Sequence, residues 1–329
     1  MRKIPRCLTI QTFGERIDRP RKRSRLLCED FSDNSLLNRF YRTTMNEAEP
    51  STNPPALEKC VPGIAQSLGL SALFYLMVGA VVGVLSILGR FDVVSLDMFS
   101  SLLVQQVVAW PLALWAGLRW GKIPFREACP LKRFPVQIVP TIFIATFGTT
   151  ILLLATATLI PMPEAFKEAM AQGMAESSKP AIFFSVVLLA PLAEELFFRG
   201  LVLRGYLGRY SVSKAVWASA VLFALFHLNP WQAVVALPLG LGFAWLFLRT
   251  GSLLPGILGH ATANFSANYL YPPLALSLGY DTKALEALGN YPLSMLSIGF
   301  AMAGVGGLIL WWQLNKLPVN ETPDQPISH

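Results

Sequence analysis

Charged residues are scarce in this chain. Only 14% of its 329 residues are Asp, Glu, Lys or Arg, and 53% are hydrophobic, whereas a typical soluble domain carries about 25% charged residues. A chain with so little charge is not expected to be surrounded by water along most of its length. The composition predicts an all-α, polytopic membrane helix bundle whose core is defined by lipid.

Cysteines are also few. The four of them, Cys7, Cys28, Cys60 and Cys129, show no paired spacing, so neither a disulfide framework nor a zinc ribbon is indicated. The first thirty residues lack the apolar segment of a cleavable signal peptide. No internal repeat is visible either.

The excess positive charge of +7 is concentrated at the N-terminus. Residues 1–44 hold eleven Lys and Arg against five Asp and Glu, and the rest of the chain is almost neutral. We therefore expect residues 1–62 to be a polar, disordered cytosolic tail, with Met45 as an alternative start. This charge does not indicate a nucleic-acid partner; a basic arm that binds membrane lipid is the alternative for residues 1–44.

Eight apolar stretches follow the tail, each near the roughly 20 residues that cross a bilayer. Lys and Arg are enriched on the cytosolic side of membrane proteins. With the N-terminus in the cytosol, the inner loops hold eleven of these residues and the outer loops four. The sequence thus predicts about eight transmembrane helices with both termini cytosolic. The stretches are approximately 65–89, 99–118, 136–160, 180–199, 213–229, 231–249, 252–273 and 293–314.

Two adjacent carboxylates, Glu194 and Glu195, interrupt the fourth stretch, and Arg199 follows. An ionisable side chain at membrane depth costs about 2.5–3.5 kcal/mol, so it is usually paired and functional. In a helix Glu195 and Arg199 share a face and can pair, whereas Glu194 lies about 100° around the helix. One carboxylate should be held by the arginine and the other free for chemistry. A helix end at which charge meets lipid headgroups is the plain alternative.

The two internal histidines, His227 and His260, also lie in apolar stretches. Most such histidines are core residues, but these follow the only carboxylates that lie well inside an apolar stretch. Glu194 and His227 are symmetric about a predicted turn at 208–211, so we expect them to face each other across two antiparallel helices. His260 and Asn264 share a helix face, where they either stabilise an oxyanion or hold two helices together.

Three ordered motifs resemble those of the CPBP (abi) intramembrane proteases, a family that includes CAAX prenyl endopeptidases and bacteriocin-processing enzymes. The chain reads Glu-Glu-Leu-Phe-Phe-Arg at 194–199, Phe-Ala-Leu-Phe-His at 223–227 and His-Ala-Thr-Ala-Asn at 260–264. The resemblance covers about 180–270. It suggests accessory helices and an outer segment at 63–178, a catalytic core at 179–273, and a last transmembrane helix with a tail at 274–329.

The resemblance implies a CAAX-like intramembrane endopeptidase acting on a membrane-associated or prenylated peptide or protein. Water activated by Glu194 and His227 would attack the peptide bond. His260 and Asn264 would stabilise the resulting oxyanion. The expected location is the plasma (inner) membrane of a prokaryote, with membrane lipid and the substrate as partners.

The family's metalloprotease label implies a zinc ion, for which Glu194, His227 and His260 are the only good intramembrane ligands. A ligating histidine normally passes its other N–H to a carboxylate or carbonyl. Glu195, the one further carboxylate, is assigned to Arg199 as support for the site. The sequence therefore favours water activated without a tightly bound metal, and zinc is the alternative.

Two other functions remain open from the sequence. Glu194, His227 and His260 are also suited to a proton relay in a proton-coupled transporter, although the internal repeat found in many transporters is not visible. A non-catalytic membrane scaffold is the third possibility. A scaffold would not need these residues together, so protease function is the prediction.

Overall fold

The computed structural model describes residues 62–280 and 292–317. Within these ranges the chain forms ten helices and no strand. Residues 1–61, which hold nearly all of the predicted tail and the alternative start at Met45, lie outside the described residues. Each of the eight predicted apolar stretches contains a helix. The helices are α1 (Ile64–Arg90), α2 (Met98–Gly121), α3 (Phe125–Ala128), α4 (Val136–Ala157), α5 (Glu164–Glu176), α6 (Lys179–Leu207), α7 (Val212–Leu225), α8 (Pro230–Thr250), α9 (residues 254–277) and α10 (Leu293–Asn315).

Six of the described helices are long and apolar enough to cross a membrane, namely α1, α2, α4, α6, α8 and α10. The all-α, multi-pass membrane architecture is therefore confirmed. The number of eight spans stays a prediction, because α7 has only 14 residues and α9 is divided into shorter segments.

Helix α6 extends beyond the apolar stretch at 180–199. It ends at Leu207, and a turn at 208–211 leads into α7. The fifth stretch was predicted to continue to residue 229, and that boundary is wrong because α7 ends at Leu225. Asn229 accepts a hydrogen bond from the Gln232 N–H and starts α8, with a proline in its first turn. His227 consequently lies in the turn between two helices, not inside a span.

One basic residue was assigned wrongly in the orientation argument. Arg199 lies inside α6 and is fully buried, so it does not belong to a cytosolic loop. The remaining inner residues still number ten against four outer ones. The cytosolic position of the termini stays a prediction.

Glycines bring α10 unusually close to α4. A Cβ added to Gly148 would lie 2.4 Å from the backbone nitrogen of Ala303, and one added to Gly306 would lie 2.7 Å from that of Ala145. Helices in lipid gain contact by such backbone approach. The small residues at 301–307 therefore serve close helix packing.

Helix α6 contributes most to the buried core. Phe197, Phe198, Leu201 and Leu203 have no exposed surface and pack among buried residues of α1, α2, α7 and α8. The segment before α6 forms α5, whose Phe166 stacks on Trp231 of α8. The carboxylates of α6 are thus held in a well-packed part of the protein.

Candidate active site

The two carboxylates lie on a short α-helical segment between two π-helical stretches of α6. The α segment is Ala190–Glu195, and the π stretches are Phe183–Leu189 and Leu196–Leu203. A π turn widens the helix, because its backbone hydrogen bonds join residues five apart in place of four. Such turns are frequent at functional sites. Hydropathy gave no indication of these stretches.

Glu195 and Arg199 form the predicted ion pair. Arg199 Nη1 donates to Glu195 Oε1 at 2.8 Å, and both side chains are almost fully buried. Arg199 Nη2 donates to the carbonyl oxygen of Gly240 at 2.9 Å. The guanidinium also lies over the rings of Phe223 and Phe243, at 4.5 Å and 5.5 Å from their centroids. Its charge is therefore compensated without water.

His260 joins the same carboxylate from α9. Its Nδ1 lies 3.1 Å from Glu195 Oε1, and its ring stacks on Phe243 at 5.2 Å between centroids. A carboxylate that is paired with Arg199 only accepts hydrogen bonds, so Nδ1 carries the hydrogen. The other ring nitrogen, Nε2, consequently faces the remaining carboxylate.

Glu194 is that remaining carboxylate. Its Oε2 lies 3.8 Å from His260 Nε2, beyond direct hydrogen-bond distance. This oxygen is buried and has no hydrogen-bond partner among the described residues. The side chain as a whole is 14% exposed. The prediction that one carboxylate is held and its neighbour left free agrees with this geometry.

His227 approaches the site from the turn after α7. Its Nδ1 lies 2.9 Å from the Phe223 carbonyl oxygen, and a carbonyl only accepts, so Nε2 is the nitrogen with the lone pair. Its ring meets the ring of Phe223 edge to face, and the ring of His260 does the same. Within the described residues, His227 makes no hydrogen bond or ion pair with Glu194 or Glu195. The contact between His227 and the rest of the site is instead through Phe223, whose ring touches the imidazoles of both His227 and His260.

Asn264 connects α9 to the first π stretch of α6. Its Nδ2 donates to the carbonyl oxygen of Val186 at 2.8 Å. This bond holds two helices together, which was one of the two roles expected from the sequence. An amide has two N–H donors, so the second hydrogen leaves the oxyanion role open.

Sequence reasoning missed the aromatic frame of the site and one hydroxyl. Phe243 contacts both Arg199 and His260, and no motif pointed to it. Tyr75 of α1 donates a hydrogen bond to the carbonyl oxygen of Phe226. The only available signal was a phenol within an apolar span, since Tyr usually finds a polar partner when it is buried.

Cys129 is not a candidate nucleophile. It lies in the connection before α4, and burial raises the pKa of its thiol to about 12. The thiol is therefore protonated near neutral pH and unreactive. Its Sγ contacts the carbonyl oxygen of Leu196, at 3.7 Å, at the start of the second π stretch.

A metal ion does not fit the donor set as the side chains stand. Within residues 62–280 and 292–317, no group of three His, Cys, Asp or Glu side chains is arranged to hold one. One argument against zinc was nevertheless wrong, because His260 has a carboxylate partner in Glu195. Zinc binding therefore stays an untested alternative.

Comparison with known proteins identifies the core segment. Residues 176–266 match the family model described as type II CAAX prenyl endopeptidase Rce1-like. Neither the curated proteins nor the solved structures gave a match. The matched segment contains all three motifs, both π stretches of α6 and the first half of α9. The chain is thus a multi-pass membrane protein whose residues 176–266 are similar to the type II CAAX prenyl endopeptidases of the CPBP (CAAX protease) family.

Proposed function

We propose that this protein is an intramembrane endopeptidase that hydrolyses a peptide bond of a membrane-associated or prenylated substrate. The observation that carries the proposal is the Glu194 carboxylate, whose buried Oε2 accepts no hydrogen bond from the described residues and faces His260 beside the buried Glu195–Arg199 pair. A buried carboxylate oxygen that accepts no hydrogen bond is suited to accept a proton from water.

Water is activated by Glu194 with help from His227. Glu194 takes the proton, because its Oε2 has no other partner among the described residues. His227 is oriented by the Phe223 carbonyl, so Nε2 is free to accept a hydrogen bond from the same water. The water would enter between the two side chains and bridge them. The resulting hydroxide attacks the carbonyl carbon of the peptide bond.

His260 and Asn264 stabilise the oxyanion that forms. Since Nδ1 of His260 donates to Glu195, its Nε2 can donate only when the ring is doubly protonated. Two carboxylates, one guanidinium and one imidazolium sum to zero charge, which suits the buried cluster better than a net negative charge. The second amide hydrogen of Asn264 adds a donor. The proton taken by Glu194 is then available for the leaving amine.

No step of this mechanism uses a metal ion. If zinc were bound, the ligands would be Glu194, His227 and His260, and the ion would act as a Lewis acid. The expected setting is the plasma (inner) membrane of a prokaryote, with about eight spans and both termini cytosolic. The distribution of Lys and Arg supports this orientation.

Replacing Glu194 with glutamine tests the function directly. The amide keeps the shape and removes the base, so cleavage of a membrane-peptide library, read by mass spectrometry, should be abolished. His227→Ala should abolish it too, with the fold retained. Glu168→Gln, at an exposed carboxylate of α5, is the matched control and should cleave normally. Full activity of Glu194→Gln would refute the hydrolase. An inactive wild-type protein that moves protons in liposomes would favour a transporter.

A further inference from the structure

The family match begins at residue 176, yet one side chain of α1 contacts the backbone directly before His227. We infer that Tyr75 is a positioning residue that fixes the turn bearing His227. The inference rests on the proposed function for its kinetic consequences. The geometry from which it is drawn does not depend on that function.

The hydroxyl of Tyr75 satisfies a carbonyl at the end of α7. The N–H groups of His227 and Leu228 bond to the carbonyls of Ala224 and Leu225, so the helix ladder stops before Phe226. The last carbonyls of a helix lack partners within it. The Phe226 carbonyl oxygen accepts the Tyr75 hydroxyl instead. The backbone directly before His227 is thereby tied to α1.

The ring of Phe226 is fixed as well. It is almost fully buried within an aromatic cluster. A ring in so closely packed an interior cannot move without displacing its neighbours. Both the carbonyl and the side chain of the residue before His227 thus have partners on α1. The Phe226 ring centroid lies 5.0 Å from that of Phe74, 4.8 Å from Tyr75, 5.3 Å from Trp110 and 5.2 Å from Phe198.

The turn needs these ties because its backbone is strained. Leu228 has a φ of 55°, in the left-handed region that is unfavourable for an L-residue other than glycine. Asn229 Nδ2 holds the His227 carbonyl at 3.0 Å from one side, and Tyr75 holds the Phe226 carbonyl from the other. Without the hydroxyl, the turn can relax and move the imidazole.

Tyr75 and Phe223 hold different parts of this turn. Tyr75 bonds to the Phe226 carbonyl, before the histidine, and Phe223 bonds to the imidazole itself. His227 is oriented separately, by the bond between its Nδ1 and the Phe223 carbonyl. Tyr75 therefore determines where the imidazole stands relative to Glu194, and Phe223 determines how it is rotated.

Tyr75→Phe removes the hydroxyl and keeps the ring. A displacement of about 1 Å in an active site can cost about 100-fold in rate, so we expect kcat to fall about 10- to 100-fold with KM within about twofold. Tyr206→Phe is the matched control. Tyr206 is a fully buried tyrosine twelve residues after Glu194 on α6. Loss of its hydroxyl should leave kcat within about twofold of the wild-type value. An equal fall in both variants would show a general packing effect and overturn the inference.

Chemical labelling of the histidines gives a second measurement that needs no catalysis. In the intact protein, diethyl pyrocarbonate should modify His227 at a clearly different rate in Tyr75→Phe than in the wild type. The rate of modification at His260 should be the same in Tyr75→Phe and in the wild type, because the substitution leaves its partner Glu195 in place. If wild-type protein cleaves nothing, the proposed function fails, and the labelling still decides the inference. An unchanged His227 rate, or an unchanged kcat in an active enzyme, would overturn it.

Discussion

His260 and Glu195 are joined by a hydrogen bond of 3.1 Å between Nδ1 and Oε1, although 65 residues separate them. The same oxygen accepts from Arg199 at 2.8 Å. One buried carboxylate oxygen therefore neutralises a guanidinium and fixes the tautomer of a candidate catalytic imidazole. Together with the bond from Asn264 to the Val186 carbonyl, Glu195 holds α9 against α6 at the site.

Glu195→Gln should destabilise the protein and inactivate it. The substitution leaves the Arg199 guanidinium without a counter-charge in a buried site, which typically costs about 3–5 kcal/mol, and His260 is left with a neutral amide oxygen as its acceptor in place of a carboxylate. Thermal unfolding in detergent measures the first effect and peptide cleavage the second. Glu164→Gln, which breaks the exposed pair with Lys167 on α5, should change neither. Wild-type stability in Glu195→Gln would contradict the structure.

Gly256→Ala should impair activity through the same carboxylate. A Cβ at Gly256 would lie 3.1 Å from Glu195 Oε2. The buried Glu195 side chain, which accepts hydrogen bonds from both Arg199 and His260, would therefore have to shift. Gly242→Ala is the control, because nothing lies within 4 Å of its added Cβ. A helix interior gains about 1 kcal/mol from such a change, so this control should be active and slightly more stable. Equal activity of both variants would argue against a tightly placed Glu195.

Asn264→Ala should keep residual activity, about 10²–10³ below the wild-type rate, if its free amide hydrogen serves the oxyanion. Loss of the bond to the Val186 carbonyl should also lower stability. Asn268→Ala is the matched control. It removes a similar bond, from Nδ2 to the Asn264 carbonyl, one turn along α9. A kcat per folded molecule that is unchanged in Asn264→Ala would leave Asn264 with its structural role alone.

Elemental analysis of the purified protein should find no tightly bound metal, since the described residues offer no ready three-ligand group. Activity should correspondingly survive dialysis against a chelator. One equivalent of zinc that disappears together with activity in His227→Ala would reverse this expectation. Cadmium-substituted protein would then allow the ligands to be identified spectroscopically.

The orientation in the membrane can be tested at two lysines. The ten-to-four distribution of basic residues predicts that Lys316 lies on the cytosolic side and Lys167 on the outer side. Cysteines introduced at these positions should react with impermeant reagents from opposite faces of sealed vesicles. Reaction of both from one face would show that the number of spans is wrong.

Local patterns in the sequence were enough to predict the helices and one side of the site. Hydropathy over about 20 residues located the apolar stretches, because a spanning helix must satisfy its backbone internally and face lipid. The i, i+4 spacing of Glu195 and Arg199 predicted their ion pair, because both residues lie on one helix. The same geometry left Glu194 without that partner. Ordered motifs added His227, His260 and Asn264 as candidates.

The contacts between helices were decided only by the tertiary structure. Nothing local in the sequence joins Glu195 to His260 or, across 151 positions, Tyr75 to Phe226. The turn that bears His227 depends on where α8 begins, and the π stretches of α6 are seen only in the folded chain. Such features follow from the mutual fit of side chains on different helices, whereas periodicity records only which face of each helix is apolar.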